Sequence, residues 1–121
     1  MTDEVVTPLP KARRTWHLVA DAKSLQLAAE TLTKHDGPIA IDAERASGFK
    51  YSQRAYLVQV SKRNSDIFLI DPFAISPKLS ATDFEDLARA VNSETWILHA
   101  ATQDLHCLNE IGLKPTALID T

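Results

Sequence analysis

The stretch IAIDAERASGFKYSQRAYLVQV, Ile39–Val60, decides the fold. It opens on Ile39–Glu44, an apolar and partly β-branched run with strand character. Strand alternation sends Ile39, Ile41 and Ala43 to one face and Ala40, Asp42 and Glu44 to the other. Tyr56–Ser61 alternates in the same way and predicts a second strand. A turn through Lys62–Ser65 leads to a third strand, Asp66–Ile70, which ends at Asp71-Pro72. Three strands with no helix between them predict an antiparallel meander.

Upstream, Thr15–Ala20 reads as a short strand. Asp21 or Ser24 then caps a helix whose Leu25, Ala28, Ala29 and Leu32 recur at helical spacing, and His35-Asp36-Gly37-Pro38 stops it. Downstream, Asp83–Val91 is helical, with Phe84, Leu87, Ala88 and Val91 on one face. Trp96–His99 is a strand, Thr102–Ile111 a helix closed by Gly112, and Thr116–Ile119 a last strand. A meander followed by β-α-β implies an α/β fold: a mixed sheet with flanking helices. Residues 1–14 lack periodicity and read as a flexible lead-in, leaving 15–121 as one folded unit.

The chain has 121 residues, 45% hydrophobic and 24% charged, ordinary values for a globular protein. Its apolar runs are too short to cross a bilayer, so no membrane association is expected. Met1–Pro10 has no apolar signal core, and a single cysteine, Cys107, fits a reducing cytoplasm. The net charge of −3 excludes a generally basic, nucleic-acid-coating protein. Yet Arg45, Lys50, Arg54, Lys62 and Arg63 occur between Arg45 and Ser65 without one acid, while acids gather in Ser80–Glu94. Taken alone, that pattern is better read as ordinary surface charge.

Asp42 and Glu44 fall on one strand face, about 7 Å apart. On a central strand, two like charges repel and resist desolvation. A divalent cation removes the conflict, and oxygen ligands suit Mg²⁺ or Mn²⁺. A strand end where both acids meet water is the plain alternative. Asp104 lies at the edge of the helical stripe of Ala101, Leu105, Leu108 and Ile111, in line with Leu108 and Ile111. A charge there needs a partner, unless it serves only to complement the helix dipole in the first turn.

Ile39–Val60 resembles the first exonuclease motif of ribonuclease D-type proteins in the DEDD superfamily. ILHAATQDLHCLNEIGLKPTALIDT, Ile97–Thr121, resembles the second motif and the strand after it, and FLIDPF, Phe68–Phe73, fits the third strand. The resemblance covers roughly residues 15–121. It implies a ribonuclease H-like fold and 3′→5′ exonuclease activity by two-metal phosphodiester hydrolysis, releasing 5′-mononucleotides in RNA processing or decay. Carried over, Asp42 would bridge two divalent cations (Mg²⁺ or Mn²⁺). Glu44 would support the cation that activates water, and Asp104 would hold the other. Arg45, Tyr51, Arg54 and His99 are candidates to contact nucleic acid, RNA rather than DNA; a plain basic surface and a structural histidine are their simpler readings.

The family's last motif, Tyr-X-X-X-Asp, supplies a fourth carboxylate from a downstream helix. Here no Tyr follows Tyr56 and no Asp follows Asp120. The resemblance therefore implies a C-terminally incomplete domain, inactive alone, with apolar sheet surface left open to homo-oligomer formation. The alternative is a non-catalytic module that retains the exonuclease fold to bind nucleic acid or protein.

Overall fold

In the computed structural model the elements follow in chain order as β1 (Trp16–Val19), α1 (Ala22–Thr33), β2 (Ile39–Arg45), β3 (Tyr56–Lys62) and β4 (Ile67–Ile70). Then come α2 (Pro72–Ile75), a 3₁₀ turn (Ala81–Phe84), α3 (Glu85–Val91), β5 (Thr95–Leu98), α4 (Ala101–Glu110) and β6 (Ala117–Asp120). The structure describes residues 14–45, 56–98 and 101–120; at 44, 45, 56, 101–104, 106 and 120 it describes the backbone alone. The expected lead-in thus lies outside the described residues except for Arg14.

The strands form one mixed sheet in the order β1-β4-β3-β2-β5-β6. β2-β3-β4 is the predicted antiparallel meander, while β1 joins β4, β5 joins β2 and β6 joins β5 in parallel. β2 is central, with neighbours on both sides.

The register sorts side chains between two unlike faces. Val19, Ile70 and Val58 share one side of the pleat, as do Val60 and Ile41, and all are buried. Ile39 and Trp96, paired across β2 and β5, are both fully buried. These residues join Leu25, Ala28, Ala29 and Leu32 of α1, Leu87, Ala90 and Val91 of α3, Leu108 of α4 and Ile111 just after it in one core cluster. Burying these apolar side chains is the main favourable term for the fold. Trp96 Nε1 donates to the Val91 carbonyl at 2.8 Å, so the indole fills the core without an unpaired N–H.

The opposite pleat carries Trp16, Leu18 and Ile119, which are 55%, 66% and 50% exposed. Large apolar side chains are thus open to solvent on this face. Among the described residues no helix is long and apolar enough to cross a membrane.

Local chemistry sets the element ends. Asp21 and Ser24 both act at α1, in a reciprocal capping box: Ser24 N donates to Asp21 Oδ1 at 2.7 Å and Asp21 N to Ser24 Oγ at 3.3 Å. At the β3–β4 turn, Asn64 takes a positive φ of 70°. Arg14 clasps that turn from outside, donating to the Ser65 and Lys62 carbonyls at 2.8 Å each. Asp71-Pro72 does more than end β4. Asp71 Oδ1 accepts from Ala74 N at 3.2 Å and Pro72 opens α2, a short helix absent from the periodicity because four residues cannot display one.

Candidate active site

Asp42 stands in the middle of central β2, and the register sets it opposite Gln59. Its strand flank is anchored: Ile41, one residue before, is only 3% exposed, and Ala43, one residue after, packs against the core. Alternation then delivers Asp42 to the open face. There it is exposed, so its charge meets water and the desolvation expected for a central strand does not arise. Neither Asp42 nor Gln59 has a hydrogen-bond partner for its side chain among the described residues.

Position 44 is two residues on, paired with Leu57, and falls on the same side of the pleat as position 42. Arg45 closes β2 and pairs with Tyr56. Asp104 is the fourth residue of α4, a helix packed against β2. The expected apolar stripe of that helix is present: Leu108 and Ile111 are fully buried and Leu105 packs on the same core. Backbone topology therefore brings the segments bearing Asp42, Glu44 and Asp104 to neighbouring elements, while the side chains at 44 and 104 lie outside the described residues. So do Tyr51, Arg54 and His99 entirely, along with the side chain of Arg45. Among the described residues no three His, Cys, Asp or Glu side chains gather as a metal site.

Nothing in the sequence marks Gln59 as part of the site. The structure gives its side chain no hydrogen bond among the described residues and makes it the cross-strand neighbour of Asp42. The signal was the register, which alternation alone does not fix. A cavity of about 330 Å³ lies elsewhere, between β1 and α1, lined in part by His17, Leu27 and Phe68. It has no part of the Asp42 neighbourhood.

A central strand paired in parallel on one side and antiparallel on the other, carrying Asp42 on an open face, with a helix following the neighbouring strand, is the ribonuclease H-like arrangement found in nucleases. The chain belongs to the 3′-5′ exonuclease family, whose model matches residues 16–121. It is similar to a crystallised protein from Bifidobacterium adolescentis, 32% identical over 90% of this chain and 28% of that one, with a TM-score of 0.75. It also shares its fold with the catalytic core of RRP6 from Trypanosoma brucei, at 20% identity and a TM-score of 0.63 over 93% of this chain and 30% of that one. A third likeness is the Nibbler EXO domain of Aedes aegypti, at 19% identity and a TM-score of 0.62 over 87% of this chain and 52% of that one. The chain thus spans 28–52% of the length of these three structures. No curated protein matches it.

Proposed function

We propose that Asp42, Glu44 and Asp104 form the metal-binding part of a 3′→5′ exoribonuclease site of the ribonuclease D type. The observation that carries this is Asp42: a carboxylate on the central strand of an exonuclease-family sheet, exposed and without a hydrogen-bond partner among the described residues. A carboxylate bonded to protein donors would have to give up those bonds to take a ligand. One that keeps its lone pairs free on a rigid strand is available to a ligand. The donor set also fits a hard cation, since all three candidates are carboxylates.

Asp42 and Glu44 would hold Mg²⁺ or Mn²⁺ on the open face, and Asp104 would do so from α4. Bound there, two such ions would lower the pKa of an attacking water and balance charge on the leaving 3′ oxygen. The chain's own contribution is placement: pairing with β3 through Gln59 and Leu57 fixes the backbone at positions 42 and 44, which sets both on one side of the pleat. Arg45 ends this strand, Tyr51 and Arg54 follow it in sequence and His99 follows β5; these four would contact phosphates or stack on bases. RNA is the proposed substrate and the cytoplasm the proposed site of action. Isolated as 121 residues, the chain has no Tyr-X-X-X-Asp sequence. It should bind metal yet turn over weakly or not at all, and its open apolar face should favour self-association.

A time course on 5′-labelled single-stranded RNA and DNA with Mn²⁺ or Mg²⁺ tests the assignment, comparing these 121 residues with a longer form that supplies the motif. Stepwise shortening by the longer form, lost on Asp42→Asn, supports it. A longer form that binds RNA without shortening it favours the non-catalytic module instead. Robust turnover by the 121 residues defeats the inactivity of the short form.

A further inference from the structure

A row of four side chains crosses the open face of the sheet: Leu18 on β1, Leu69 on β4, Gln59 on β3 and Asp42 on β2, each registered opposite the next. Three of the four explain themselves. Leu18 and Leu69 continue the apolar surface, and Asp42 is the candidate ligand. Gln59 does not: it is half-buried, it is polar, and its amide has no hydrogen-bond partner among the described residues. An amide with part of its surface exposed can bond to water, so what singles Gln59 out is its place directly opposite Asp42.

The surroundings limit which protein group can partner it. Toward β4 the amide meets Leu69, which offers no polar atom. Along β3 its same-face neighbours are Leu57 and Ser61. Toward β2 it meets Asp42, directly opposite, with Cβ atoms about 4.5–5.5 Å apart in such a pair. A glutamine amide carries two N–H donors on a side chain long enough to span that gap. The residue type also suits the place. A lysine or arginine here would neutralise Asp42 and compete with a cation for it. A leucine would leave the carboxylate's outer oxygen without a donor. A neutral amide holds the carboxylate while leaving its full charge for the ion.

We propose that Gln59 is the positioning residue of Asp42: its side-chain N–H donates to the Asp42 carboxylate oxygen turned away from the cation and fixes the rotamer that binds it. This rests on the reading of Asp42 as a metal ligand. It extends that reading to a residue on a different strand and requires no further protein segment.

The test is a calorimetric Mn²⁺ titration of the 121-residue chain and of Gln59→Leu, Gln59→Met and Gln59→His, with thermal melts of each in the absence of metal. Donors that orient metal ligands typically contribute 10- to 100-fold in affinity. Gln59→Leu should therefore bind Mn²⁺ at least about 10-fold more weakly while its metal-free melt stays near wild type. Gln59→Met, unbranched and without a donor, should behave like Leu and stands in for it if the branched side chain prevents folding. Gln59→His keeps an N–H and should recover most of the loss. Equal Mn²⁺ affinity for wild type, Leu and Met would overturn the role of Gln59 and leave the Asp42 site standing. An equal loss in all three variants would also overturn it, because packing alone would then account for the effect. A wild-type chain that takes up no Mn²⁺ would instead bring down the carboxylate reading, and this inference with it.

Discussion

Lys62 is 2% exposed, and its ammonium lies 3.3 Å from the Glu94 carboxylate while also donating to the His35 carbonyl at 2.7 Å. One buried cation thereby joins the end of β3, the segment after α1 and the residue before β5. That is the end of the sheet where β2 enters, paired through Ile39 with Lys62 itself. Removing one partner of a buried pair leaves a charge without compensation. Glu94→Ala should destabilise the fold by roughly 1–3 kcal/mol, less than a fully buried pair because Glu94 is one-third exposed. Adding Lys62→Met should return part of the loss in urea unfolding. A double mutant weaker than Glu94→Ala by the full cost of a second independent substitution would contradict this coupling.

Trp96 combines complete burial with a single polar obligation, its 2.8 Å bond to Val91. Trp96→Phe keeps most of the apolar area but removes that bond, leaving the Val91 carbonyl only the Glu94 backbone N–H at 3.1 Å and a gap where the indole N–H was. A loss of about 1–3 kcal/mol in chemical denaturation is expected.

Asp21 gives the fold an acid-sensitive element. Its carboxyl is held below the ordinary value of 3.8, first by the backbone N–H of Ser24 and then by the Ser24 hydroxyl. A group whose folded pKa is depressed stabilises the fold above its unfolded pKa and loses that contribution as pH falls through the folded value. Asp21→Ala should therefore melt at a lower temperature than wild type near neutral pH, and the two should converge as pH drops below about 3.8. A gap unchanged at low pH would show that the carboxylate charge is not what caps α1.

Leu18, 66% exposed, and Trp16, 55% exposed, sit on an edge strand of the open face. Sedimentation of the 121-residue chain should reveal concentration-dependent association, weakened by Leu18→Glu with little change in thermal stability. Equal association by both proteins would place the contact elsewhere.

Much of this architecture was legible in the sequence because it depends on local rules. The meander follows from three β-rich runs with no room for a helix. The stripe of Leu25, Ala28, Ala29 and Leu32 announced α1, and all four are buried. What escaped was nonlocal. No pattern in Trp16–Val19 says that it pairs with Ile67–Ile70, some fifty positions away, instead of with its nearer neighbour β2. Asp42 was expected to resist desolvation because its strand is central, and the strand is central; its face, however, is open, and face coverage depends on where the helices cross. Gln59 was unreadable as a neighbour of Asp42 for the same reason, since register is set by the assembled sheet.

Anomalous diffraction from crystals of the chain soaked in Mn²⁺ examines the central claim most directly. Manganese should appear on the open face of β2, about 2.0–2.4 Å from carboxylate oxygens of Asp42, with Glu44 and Asp104 completing the shell. The Asp42→Asn crystal treated identically should lack that density. Manganese bound only at other carboxylates, or a soaked crystal in which Asp104 faces solvent far from Asp42, would contradict the site.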